Sequence, residues 1–153
     1  MSFANFIKTV GKTIAGDDKV NDWCQANFGK DVLVLAGIPP ADPPGKELYP
    51  LVAIADFRHV RGNAQPDISA PFALGCAVVN EDLLEDGNFS TYAGLLQAEE
   101  LRELVEEALY NSRELPDLST DGFPSEDNFH PLWVSYTLVT FSAKRTSRQN
   151  MPV

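Results

Sequence analysis

A chain of 153 residues with 44% apolar and 22% charged side chains has the size and composition of one ordinary globular domain, large enough to bury about 70% of its unfolded surface. The net charge of −10 excludes general nucleic-acid binding, which needs clustered Lys and Arg to neutralise phosphates. The charge is also uneven. Residues 1–62 are balanced, residues 63–143 carry fifteen acidic and two basic side chains, and the last ten residues carry Lys144, Arg145 and Arg148 with no acid. An acidic body with a basic tail suits pairing between copies, although a solvated acidic helix face explains the same pattern.

The opening stretch SFANFIKTVGKTIAG spaces Phe3, Phe6, Ile7, Val10 and Ile14 as one face of a helix, with Asn5, Lys8, Thr9 and Lys12 opposite and Gly16 as a stop. Lys8 and Lys12 break any apolar core of a secretory leader. No stretch approaches the roughly 18 apolar residues of a membrane span, so the expectation is a soluble intracellular product with no membrane partner. Asp17 or Asp18 caps a second helix, in which Val20, Trp23, Cys24 and Phe28 form the stripe and Gly29 the stop. Two such helices in succession read as the cover of a sheet.

DVLVLAG (31–37) reads as a short buried strand. Pro39, Pro40, Pro43, Pro44 and Pro50 follow, and a stretch so rich in fixed φ and so poor in backbone donors joins neither sheet nor helix. It reads as a stiff surface connection, or as a pre-ordered arm that lies across a neighbour. LYPLVAIADFRH (48–59) and DISAPFALGCAVVNE (67–81) form the next two strands. VRGNAQP turns between them and makes a long hairpin whose tip carries Arg58, Arg61 and Asn63. In the second of these strands Ile68, Phe72, Leu74, Cys76 and Val78 share the apolar face, and both Cys24 and Cys76 read as buried thiols.

TYAGLLQAEELRELVEEALYNSR (91–113) is the clearest helix, with Leu101, Leu104, Val105, Ala108 and Leu109 inward. Glu99, Glu100, Glu103, Glu106 and Glu107 crowd the other side, with Arg102 spaced to pair with Glu99 and Glu106. Residues 114–129 give no periodic signal, and a loop that long is functional or disordered. PLWVSYTLVTFSAK (131–144) closes the fold as a long strand, with Trp133, Ser135, Thr137, Val139 and Phe141 on one side and Leu132, Val134, Tyr136 and Leu138 on the other. The order predicts a single α+β domain over residues 1–145, its mainly antiparallel sheet covered by helices on one face, with a polar tail at 146–153.

The sequence offers no catalytic motif. GKT at 11–13 lacks the phosphate-loop glycine, since Phe6 stands there, and lies inside a helix pattern. His59 with Ser69 and Asp56 makes an incidental set on exposed strand ends, and His130 reads as a loop residue. Asp117, Asp121, Glu126 and Asp127 lack the spacing of a calcium loop. The expectation is a non-enzymatic protein without cofactor or metal.

The layout itself carries more. Two helices lead through NFGKD to a short strand and a proline-rich crossing. YPLVAIADFRHVRG, a hairpin strand ending in VVNED, the acidic helix LLQAEELRELVEEAL and the strand WVSYTLVTFSAKR follow. Over roughly residues 17–145 this resembles the tail-terminator (minor tail protein U-like) proteins of long-tailed bacteriophages and the tail-completion proteins related to them. The resemblance implies a homo-oligomer, a hexameric ring on the head-proximal end of the tail tube in the virion. Such a ring stops tube polymerisation and meets the head connector or neck. Its partners are then the major tail-tube protein and that connector, while DNA passes through without sequence-specific binding. Under this reading Glu99, Glu100, Glu103, Glu106 and Glu107 line the channel or form an acidic face, which would repel passing DNA. Arg58, Arg61, Asn63, Lys144, Arg145 and Arg148 reach a neighbouring subunit or the tube. Two other assignments share these features: a head–tail joining (neck) protein, and a non-phage acidic module that binds a basic partner.

Overall fold

The computed structural model describes residues 3–37, 45–55, 72–115, 117–124 and 130–141. Helix α1 (Phe3–Ala15) runs to Gly16, whose amide returns to Lys12 O, and α2 (Asp18–Phe28) follows at once. Asp17 is the α2 cap: its side chain accepts a 2.9 Å hydrogen bond from Val20 N, and this satisfies one of the amides a helix start leaves open. Gly29 ends the helix at φ 72°, a left-handed conformation that favours glycine.

Strand β1 (Leu33–Ala36) then pairs with β2 (Leu51–Ala55) in parallel, Leu33 opposite Leu51. Parallel neighbours need a crossover of about a dozen residues, which is the place of the proline-rich stretch. Its described end, Gly45–Pro50, holds a single 3-10 turn at Lys46–Leu48 and a cis Tyr49–Pro50 bond. Strand β3 (Phe72–Val79) runs antiparallel to β2, from Leu51 opposite Ala77 to Ala55 opposite Ala73. The expected hairpin pairing of these two strands is thus present, while its tip lies outside the described residues.

After β3 come two short strands, β4 (Leu83–Asp86) and β5 (Phe89–Tyr92), which pair only with each other, then helix α3 (Ala93–Tyr110), β6 (Leu118–Pro124) and β7 (Leu132–Phe141). The main sheet has the order β1-β2-β3-β7-β6, antiparallel apart from the first pair. The fold is α+β.

Register explains where the core sits. Val34, Val52, Cys76 and Ser135 form one row across the sheet, and Ala36, Ile54, Leu74, Thr137 and Gly122 the next, all on the face that the helices cover. Val10 and Ile14 of α1, Val20 and Cys24 of α2, and Ala98, Leu101, Val105, Ala108 and Leu109 of α3 close on these rows in one cluster with Phe72, Val78, Trp133 and Val139. Every helix stripe read from spacing thus reaches the core, with Leu104, Trp23, Phe28, Phe6 and Ile7 packed at its margin. The opposite sheet face carries Leu33, Leu35, Val79, Leu132 and Leu138, partly exposed, together with the buried Leu51, Ala53 and Ala77.

Three strands correct the sequence reading. The stretch 114–129 contains β6, the segment after the third predicted strand contains β4 and β5, and β5 takes Thr91 and Tyr92 from the start of the predicted helix. Strand β6 escapes periodicity because polar groups hold its inner side. Arg102 fills the space above Gly122, where a Cβ would lie 2.1 Å from Nη1, and Thr120 N donates to the Tyr110 hydroxyl at 3.2 Å.

Candidate functional site

Two constellations stand out from the fold, one buried and one exposed. The buried one is a polar seam between α3 and β7. Arg102 donates from Nε to Ser135 Oγ at 2.8 Å, from Nη1 to Glu106 Oε1 at 2.8 Å and from Nη2 to Glu99 Oε2 at 2.7 Å. Ser135 Oγ donates to Glu99 Oε1 at 2.8 Å, and Thr137 Oγ1 to Glu106 Oε2 at 2.7 Å. The (i, i+3) and (i, i+4) pairs read from the sequence are both made. Burial alone would raise the Glu99 carboxyl, but hydrogen bonds from Arg102 and Ser135 and the Arg102 charge outweigh it and hold it below its ordinary value. Ser135 is buried, and its hydroxyl both accepts from Arg102 and donates to Glu99, so the seam clamps α3 to β7.

This divides the five predicted acidic residues. Glu99 and Glu106 turn into the seam; Glu100, Glu103 and Glu107 stay on the outer surface beside α2. There the Trp23 indole donates to Glu100 Oε2 at 3.1 Å, and Lys19 pairs with Glu107 at 2.9 Å. Arg58, Arg61, Asn63, Lys144, Arg145 and Arg148 lie outside the described residues, as do His59 and Ser69. Among the described residues no group of three or more His, Cys, Asp or Glu is placed to hold a metal ion, and no helix is long and apolar enough to cross a membrane.

The exposed constellation is the β4–β5 ribbon with the first turn of α3, and the sequence reading missed it. Leu83, Leu84, Phe89, Tyr92, Leu95 and Leu96 are all exposed, Phe89 at 66%. A two-residue turn at Gly87-Asn88, with Gly87 at φ 64°, joins the strands. That Gly-Asn pair between LLED and FSTY was the available signal. Alternation puts Leu84, Asp86, Phe89 and Thr91 on one side of the ribbon and Leu83 and Tyr92 on the other.

A compact root fixes the ribbon to the main sheet. Tyr92 stacks on Trp133 with ring centroids 5.0 Å apart, and His130 lies 5.1 Å from Tyr92. Trp133 Nε1 donates to Asn80 O at 3.1 Å, and Ala93 N donates to Asp82 O at 3.0 Å. Gly94 makes this packing possible, because a Cβ there would lie 2.0 Å from Trp133 Cδ1.

No family model, curated protein or solved structure matches the chain. Its functional reading therefore rests on its residues, its fold and the resemblance in layout.

Proposed function

We propose that this protein is a structural assembly subunit similar to phage tail terminators. It forms a ring that caps the head-proximal end of the tail tube, stops tube growth and offers a surface to the head or neck. The observation that carries the assembly reading is the projecting apolar ribbon. A two-stranded ribbon is marginal in water alone, and exposed apolar side chains gathered on one element mark an interaction surface. Six of them within residues 83–96, with Leu84 and Phe89 on one side of the ribbon and Leu83 and Tyr92 on the other, fit a subunit completed by its neighbours.

The terminator role within that class rests on the resemblance in sequence layout; the observed order keeps two leading helices, three strands, a helix and a closing strand, and adds β4, β5 and β6 to them. In this ring Glu100 and Glu103 supply the negative outer surface past which DNA moves, while Glu99 and Glu106 serve the fold.

The test is electron microscopy of a lysate from a host whose resident phage carries a stop codon at Trp23. Overlong, headless tails are the expected result. Tails of normal length beside unattached heads would assign a neck-joining role instead, and ordinary virions would end the phage-assembly reading.

A further inference from the structure

The ribbon needs a complementary surface, and the chain carries one. Between α1 and the edge strand β1 lies a groove of roughly 470 Å³ lined by Ile7, Gly11, Val32, Val34 and Ile54, with Lys8 and Lys12 beside them. The groove has room at Gly11: a Cβ there would make only ordinary contacts, with Ile54 Cδ1 at 3.8 Å and Val34 Cγ1 at 3.9 Å. Strand β1 pairs only with β2 in the sheet, so its other edge offers unpaired backbone among the described residues. Lys8 and Lys12 are exposed, and neither ammonium pairs with a described carboxylate.

The ribbon answers each of these features. It presents Leu84 and Phe89 on one side, and Glu85 and Asp86 at its tip, both exposed and without a basic partner among the described residues. Its four-residue strands match the four residues of β1 in length. The ribbon, residues 83–92, holds two acids, Glu85 and Asp86, and no base, so the projecting element is negative where the groove rim is positive.

We infer that the β4–β5 ribbon of one copy docks on the β1 edge of the next, with Leu84 and Phe89 in the α1–β1 groove and Asp86, on the same side of the ribbon, against Lys8 and Lys12. The inference rests on the reading of this chain as a self-assembling subunit. Donor and acceptor are different patches, so the contact is head-to-tail and generates a ring when its rotation closes. Strand addition supplies the backbone hydrogen bonds, the apolar pair supplies most of the affinity, and the charges fix register and orientation.

A head-to-tail contact has a property that a two-fold contact lacks: two chains, each with a different half destroyed, still make one junction. The experiment uses the full-length chain with Phe89→Asp, the chain with Lys8→Glu and Lys12→Glu, and native mass spectrometry. All three substituted positions are on the surface, and circular dichroism melting checks that both variants fold. Wild type is expected to form a closed multi-copy species. Each variant alone is expected to associate at least about thirtyfold more weakly: Phe89→Asp loses the interface hot spot, and Lys8→Glu with Lys12→Glu sets like charges against Asp86. An equal mixture is expected to give a dimer of one chain of each kind and nothing larger. If folded Phe89→Asp assembles like wild type, or the mixture fails to pair, the docking is overturned while the ring reading stands. If wild type remains a single copy at every concentration, the self-assembly reading falls and the docking with it.

Discussion

Arg102 shows most clearly how a charged residue settles under a helix. Its side chain is 16% exposed, and its fork serves two carboxylates and a serine. Removing it strands Glu99 and Glu106 beside each other with no cation, so Arg102→Met is expected to cost about 2–4 kcal/mol of stability, read from the urea midpoint. An unchanged midpoint would mean that water replaces the guanidinium without loss. The seam also has a pH signature. The folded Glu99 carboxyl lies below its ordinary value of 4.5, so its contribution is fully present above that value and is lost as pH falls through the folded one. Acid unfolding of wild type is expected to steepen below about pH 4.5 relative to Glu99→Gln, in which that group no longer titrates. Identical acid limbs for the two proteins would contradict the assignment. The sequence exposed the Glu99–Arg102–Glu106 spacing but not which side of α3 the trio faces, because helical spacing alone makes all five glutamates look equally solvated. Only Ser135 and Thr137, read as part of a strand face, supply the partners that draw two of them inward.

At the scale of elements, apolar periodicity made α1, α2 and α3 legible, since each places an apolar stripe against the core, and β7 was legible from its long run of β-branched and aromatic residues. Strand β6 was hidden because its inner side is Leu118, Thr120 and Gly122, shaped to fit Tyr110 and Arg102 rather than to fill a core. Strands β4 and β5 were hidden for the opposite reason: they cover no core at all, so alternation between inside and outside has nothing to mark. Their attachment depends on Gly94. Gly94→Ala forces the Trp133 ring away from α3, which is expected to cost about 1–3 kcal/mol, an overpacking penalty that exceeds any gain in helix propensity. Tryptophan fluorescence should report the displaced ring; a spectrum and melting temperature equal to wild type would show that the root of the ribbon is looser than drawn.

For the whole molecule, one helix-covered sheet face forms the core and the remaining apolar surface is left to other contacts. Both cysteines belong to the core: burial pushes the Cys24 thiol up to about 12 and the Cys76 thiol higher still. At pH 8 the folded protein is expected to resist a disulfide reagent such as DTNB, and both thiols to react once urea unfolds the chain, so that the labelling rate follows global opening. Rapid labelling of one thiol in buffer would place it in a region that opens separately. The acidic body read from composition is real on the surface at Glu85, Asp86, Glu100, Glu103 and Glu107, while Glu99 and Glu106, held by Arg102, are only partly exposed. Fold class was legible because it follows from the order of elements. The docking surface was not, because an exposed ribbon is defined by what it fails to bury.

Placement in the particle tests the central claim most directly. Virions released from a host that carries this coding sequence would be labelled with gold-conjugated antibody raised against the purified chain. A ring that ends the tail tube predicts label at the junction of head and tail and nowhere else. Label at the distal tip, on the head, or on no part of the particle would contradict the account.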